Sequence, residues 1–134
     1  MEPRWVARVV VDAIHLDQIR EHGGLAGIRD ENALEAALAR PRQKWHYEPA
    51  SSIPGLAAAY GFGLSRGHPY RDGNKRVSLV VMVVFLELNG WKFTATEPEV
   101  VEAMIALASG LLSEAELTRW LTEHSRASKR RGLG

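Results

Sequence analysis

His68, Asp72, Gly73, Asn74, Lys75 and Arg76 crowd into one short stretch, Gly67-His68-Pro69-Tyr70-Arg71-Asp72-Gly73-Asn74-Lys75-Arg76, and the apolar run Val77 to Leu88 follows at once. A histidine, a carboxylate, a glycine, an amide and two cations ahead of a buried-helix pattern form the layout of a phosphate site. The first turn of a helix carries N–H groups without intrahelical partners and the positive end of the peptide dipoles, so a loop feeding it is an anion cradle. Gly73 lets the backbone approach the anion. Asn74 can cap the helix or donate to an oxygen, Lys75 supplies a point charge, and Arg76 a planar fork for phosphate oxygens. Asp72 is a hard carboxylate of the kind that holds magnesium beside a nucleotide, or it orients the reacting groups. Histidine is the side chain whose ordinary titration brackets neutral pH, which makes His68 the candidate general base toward a substrate hydroxyl. Arg66 can hold a phosphate or face the carboxyl end of the preceding helix. The chemistry implied is transfer of a phosphorus-containing group to a hydroxyl. Taken singly, these residues read as turn formers, with Arg71-Asp72-Gly73-Asn74 a good turn sequence; their order at a helix mouth favours the site.

These residues resemble the Fic/Doc signature, His-Pro-Phe-x-Asp/Glu-Gly-Asn-Gly-Arg-x-x-Arg, through His68, Pro69, Asp72, Gly73, Asn74 and Arg76, with Tyr70 in place of the Phe. Lys75 stands where Fic enzymes have the second glycine and Leu79 where they have the last arginine, both departures resembling the Doc branch. The Arg66-Gly67 pair and the upstream stretch Gly23-Gly24-Leu25-Ala26-Gly27-Ile28-Arg29-Asp30, with Leu34 to Arg40 behind it, are similar to Doc as well. The resemblance implies a toxin of a toxin-antitoxin pair, restrained by a cognate antitoxin. It implies a kinase that uses ATP and Mg2+ to phosphorylate a threonine of elongation factor Tu and so inhibits translation. AMP transfer in the Fic manner uses almost the same residues and is the alternative; a silent binding module is a third, against which the intact His68, Asp72 and Asn74 argue. The resemblance also puts a target-binding flap at Trp45, His46, Tyr47 and Glu48, unless Trp45 and Tyr47 simply cover the core.

The elements that must position this stretch read as all-α. A helix is expected over Asp12 to His22, ended by Gly23-Gly24. Asp30 caps a second one through Arg40, stopped by Pro41, and Gln43 to Ala50 reads as a loop. Ser51 or Ser52 caps a third, with Pro54 in its first turn and small residues permitting close packing up to about Arg66. The valine-rich segment from Asn74 to Asn89 is long enough, and capped well enough, to be a buried central helix. Trp91 to Phe93 is expected to be extended, as part of one short hairpin or connector at most. Thr96-x-x-Glu99 and Ser113-x-x-Glu116 read as capping boxes opening two more helices, to about Ser109 and about His124. The compact helical bundle so assembled is the fold that the resemblance implies.

The 134 residues suit a single catalytic domain, expected over residues 1–125, with a basic, frayed tail over 126–134. Hydrophobic residues at 46% and charged residues at 25% are ordinary for a globular chain. A formal net charge of +1 gives no basic field for nucleic acid, and the absence of cysteine removes disulfides and thiolate metal sites, which suits a reducing cytoplasm. No targeting segment is apparent, and Val77 to Leu88 is too short to span a bilayer. His15, His22 and His124 have no zinc-site spacing and are expected to cap helices or lie at the surface.

Overall fold

The computed structural model describes residues 1–128. In chain order these form α1 (Arg8–His22), α2 (Glu31–Tyr47), α3 (Ile53–Gly67), α4 (Asn74–Leu88), β1 (Trp91–Phe93), α5 (Glu97–Ala108), α6 (Glu114–Glu123) and β2 (Ser125–Ala127). The fold is all-α, with one short two-stranded antiparallel sheet.

Helix α3 is the hub, packed against α2, α4 and α6. Its run Leu56 to Gly61 and Leu64 are buried, and they meet Val77, Val81, Met82, Phe85 and Leu86 of α4. Small residues set this approach: a Cβ on Gly61 would lie 2.2 Å from Met82 Sδ, and one on Gly63 would lie 3.2 Å from the Ala37 Cα of α2. Ser78 Oγ donates to the Gly61 carbonyl at 2.8 Å across the α3–α4 contact, so its buried hydroxyl is paired. The Val6 N–H donates at 3.0 Å to the buried Tyr60 hydroxyl, tying the chain ahead of α1 to the hub.

Most helix ends obey local chemistry. Asp30, Ser52, Thr96 and Ser113 accept from Ala33, Gly55, Glu99 and Glu116 N–H, and both capping boxes are closed by their glutamates. Gly23 and Gly90 follow their helices with positive φ. Helix α1, expected from Asp12, begins one turn earlier at Arg8; Ala7 gives it no side-chain cap, and burial of Val11 and His15 holds it in place.

The second helix departs further from expectation. It does not stop at Arg40 but runs through Pro41 to Tyr47. Proline deprives the Ala37 carbonyl of its usual donor. The loss is offset by packing: the Pro41 ring is itself buried, and Trp45, one turn on, meets Trp5 edge-to-face at 6.3 Å, while Trp5 stacks on Phe85 at 5.8 Å. The expected loop at Gln43 to Ala50 therefore exists only from Glu48 onward.

At the far end of α4 from its N-terminus, Trp91, Lys92 and Phe93 pair with Ala127, Arg126 and Ser125. The strands are separated by α5 and α6, so this is not a hairpin. The expected frayed tail from 126 thus begins as an ordered strand; its remainder, 129–134, lies outside the described residues. No helix among the described residues is long and apolar enough to cross a membrane.

Candidate active site

The loop between α3 and α4 carries the signature, and a cavity of about 360 Å³ opens on it. Ser65, His68, Arg71, Asp72, Gly73, Asn74, Lys75, Arg76 and Ala108 line it. His68, Asp72, Gly73, Asn74, Lys75 and Arg76 are thus brought together as the spacing predicts. The first intrahelical donor of α4 is Val77, whose N–H reaches the Gly73 carbonyl at 2.9 Å. The amides of Asn74, Lys75 and Arg76 precede it and have no place in the helical ladder. Gly73, the N-cap, has φ 77°, a left-handed backbone that glycine adopts without strain.

His68 follows α3 with φ 47° and ψ 53°, the one non-glycine residue with positive φ among those described. Such a conformation costs on the order of 1 kcal/mol and needs support. Arg29 supplies it: Nε donates to the His68 carbonyl at 2.7 Å and Nη2 to the Gly67 carbonyl at 3.1 Å, satisfying the exposed acceptors at the end of α3. The imidazole itself is exposed at the cavity mouth.

Asn74 lines the cavity, and its side chain also braces the loop. Its Oδ1 accepts from the Tyr70 N–H and its Nδ2 donates to the Tyr70 carbonyl, both at 2.9 Å. The side chain therefore closes the loop upon itself, with one Nδ2 hydrogen left over. Arg66 sits in the last turn of α3, where one of its two expected roles puts it, and is not among the residues that line the signature cavity. Its guanidinium lies 5.4 Å from the Phe62 ring centre and against Gly110, on a neighbouring cavity shared with Arg40 and Phe62.

The flap expected at Trp45–Glu48 is not beside this loop. Continuation of α2 makes Trp45, His46 and Tyr47 helical; Trp45 packs on the core, while Tyr47 and Glu48 border a separate cavity with Arg40, Lys44 and Glu114. The segment that does lie along the loop joins α1 to α2. Arg29 and Asp30 N–H donate to the Pro69 carbonyl at 2.8 and 3.0 Å, Arg71 N–H donates to the Gly27 carbonyl at 3.0 Å, and Ile28 bridges Tyr70 antiparallel. The Leu25 N–H donates to Asp72 Oδ2 at 3.1 Å. Gly24 fits because a Cβ there would come within 3.1 Å of the same oxygen.

Several site residues go beyond those the sequence singles out. Arg71 adds a third cation to the cavity wall, and its place inside the signature was the available signal. Ser65 Oγ, in the same wall, is buried without a hydrogen-bond partner among the described residues. His15, expected at a surface or a cap, is buried in the middle of α1 with its ring on Tyr70. Leu79, at the position of the missing arginine, is half-buried and packs on the core.

Residues 5–86 match the sequence profile of the Fic/DOC family, a span that includes the whole signature loop and most of α4. The chain belongs to the Fic/DOC family. Within it, the chain is 32% identical over 101 residues to the protein named protein kinase doc of Escherichia phage P1, covering 75% of this chain and 79% of that protein. It is 37% identical over 76 residues to the toxin Doc of Mycolicibacterium smegmatis, covering 54% of this chain and 57% of the relative. These likenesses place it in the Doc branch, as Lys75 and Leu79 led one to expect. The observed helical architecture is consistent with the Fic/DOC all-α fold.

Proposed function

We propose that this protein is a Doc-type toxin that transfers the γ-phosphate of ATP to a threonine hydroxyl of a protein target, elongation factor Tu, and thereby inhibits translation in the cytoplasm, until a cognate antitoxin restrains it. The observation that carries the reading is the convergence of His68, Asp72, Lys75 and Arg76 on one cavity at the unpaired amides of α4. The names of the two relatives, a protein kinase and a toxin, support it.

In this reading the unladdered amides, with Lys75, Arg76 and Arg71, hold the phosphate oxygens and disperse their charge. His68 takes the proton of the acceptor hydroxyl as that oxygen forms its bond to the γ-phosphorus; the bond from phosphorus to the β-bridging oxygen breaks and ADP leaves. Little else is required of the protein, because phosphoryl transfer rests on positioning and charge neutralisation. The donor set fits magnesium bound mainly through nucleotide oxygens. Among the described residues no cluster of three metal-binding side chains exists, Asp72 offers one carboxylate in the cavity, and only its Oδ2 is engaged. Asp72 would hold the ion, which when bound would neutralise phosphate charge. The role of aligning the target passes, in this geometry, from Trp45–Glu48 to the Gly24–Asp30 segment, which already lies along the loop.

The test is intact-mass measurement of purified elongation factor Tu after incubation with this protein, ATP and magnesium. The expected result is a gain of one phosphoryl group, lost with His68→Ala. A gain of AMP would overturn phosphoryl transfer in favour of the Fic chemistry, and an equally active His68→Ala would remove that residue from the mechanism.

A further inference from the structure

His15 is only 4% exposed, lies in α1, and belongs to no part of the signature. Its Nε2 lies 3.0 Å from the Asp72 carbonyl oxygen. A carbonyl oxygen only accepts, so in this contact Nε2 carries the proton. The ring stacks on Tyr70, with centres 3.8 Å apart and planes 8° from parallel, and closes over Gly73, where an added Cβ would be 3.8 Å from it. Behind this stack the Tyr70 hydroxyl donates to Asp12 Oδ1 at 2.6 Å, and Arg8 Nε donates to Asp12 Oδ2 at 2.9 Å. Arg8 also pairs with Glu31 and Glu35 of α2. The loop is thereby tied from one side to two helices.

The peptide that His15 grips joins Asp72 to Gly73. A trans peptide is planar, with its N–H antiparallel to its C=O. When the Asp72 carbonyl points at α1, the Gly73 N–H points away from α1. That N–H makes no hydrogen bond among the described residues, and Gly73 lines the cavity. We propose that His15 is a positioning residue: its Nε2–H fixes the plane of the Asp72–Gly73 peptide so that the Gly73 amide joins those of α4 as a donor to phosphate. Packing alone does not explain the choice of residue, since a leucine fills similar space without a donor.

This proposal rests on the phosphate-site reading, so its test reads anion binding apart from transfer. Inorganic pyrophosphate is titrated into the full chain while amide NMR follows Gly73, Asn74 and Lys75, alongside thermal melts, for wild type, His15→Leu, His15→Gln and His15→Asn. A glutamine amide can place an N–H near the position of Nε2, whereas asparagine is one methylene short. The expected result is pyrophosphate affinity about tenfold weaker in His15→Leu, as befits one lost hydrogen bond to a charged group, with the Gly73 response abolished. Glutamine should restore most of both, and asparagine should not. Should the leucine variant fail to fold, the glutamine–asparagine contrast decides. Equal affinity and equal Gly73 shifts in all folded variants would overturn the proposal. Wild type that binds pyrophosphate through Gly73 but phosphorylates no protein would overturn only the proposed function. In an active preparation, His15→Leu should lower kcat and leave the KM for the protein target unchanged.

Discussion

Both polar ends of the Asn74 amide bond the Tyr70 backbone, so this residue shapes the loop. Asn74→Ala removes two hydrogen bonds, and the expected loss is about 1–3 kcal/mol of stability, measured as a lowered urea midpoint. Activity should fall by more than that stability change implies, because the Tyr70-to-Asn74 turn sets the spacing between His68 and the amides of α4. An active variant with only its midpoint lowered would show that the turn survives without the clasp. Lys75 poses a different question, since it is exposed, lines the cavity and replaces the glycine of the Fic pattern. Lys75→Gly opens the mouth of α4 and removes the charge suited to the terminal phosphate. With labelled ATP, the expected outcome is a fall in phosphoryl transfer and the appearance of AMP transfer. Unchanged phosphorylation would show that Lys75 does not choose the product.

Helices here announce themselves where the signal is local and stay hidden where it is not. Asp30, Ser52, Thr96, Ser113 and Gly90 mark their ends correctly because a cap needs only its own turn. Pro41 misleads because its rule is local too, while the burial of its ring and of Trp45 against the rest of the core is a tertiary matter. The signature stretch is legible for the same reason as the caps, being one contiguous loop. Its supports are not: Arg29, Leu25 and His15 reach it across 39, 47 and 57 residues of chain, with no period or motif to reveal the pairing. Between elements, Gly61 gives the sharpest prediction. A methyl there would press within 2.2 Å of Met82 Sδ, deep in the α3–α4 contact that frames the cavity. Met82 can change rotamer, but it is fully buried within the core cluster, so its neighbours must give way. Gly61→Ala should therefore destabilise by about 1–3 kcal/mol despite its better helix propensity. Met82→Ala in the same chain should recover part of that loss; a stabilised Gly61→Ala protein would mean that the helices part freely.

For the molecule as a whole, the two buried tyrosines set a limit on the alkaline side. Burial holds the Tyr60 phenol above the ordinary tyrosine range; it does the same for Tyr70, where the hydrogen bond to Asp12 pushes further in that direction. The folded protein thus keeps both protons at pH values where the unfolded chain, titrating near pH 10, gives them up. Above that pH the folded state binds more protons than the unfolded one, so stability falls as pH rises. The contribution is fully present below about pH 10 and is lost on going upward toward the raised folded values. Urea midpoints measured from pH 8 to pH 11 should therefore hold steady and then decline. Tyr70→Phe should lower the midpoint at pH 8, because the hydroxyl bond to Asp12 is gone, yet flatten the decline, because one of the two responsible protons is gone with it. Tyr60→Phe should flatten it as well but lose more at pH 8, since it leaves the Val6 N–H buried without its acceptor. A decline as steep in both variants as in the wild type would assign alkaline unfolding to other groups, and an unchanged midpoint at pH 8 in Tyr70→Phe would detach the Tyr70–Asp12 bond from the stability of the fold.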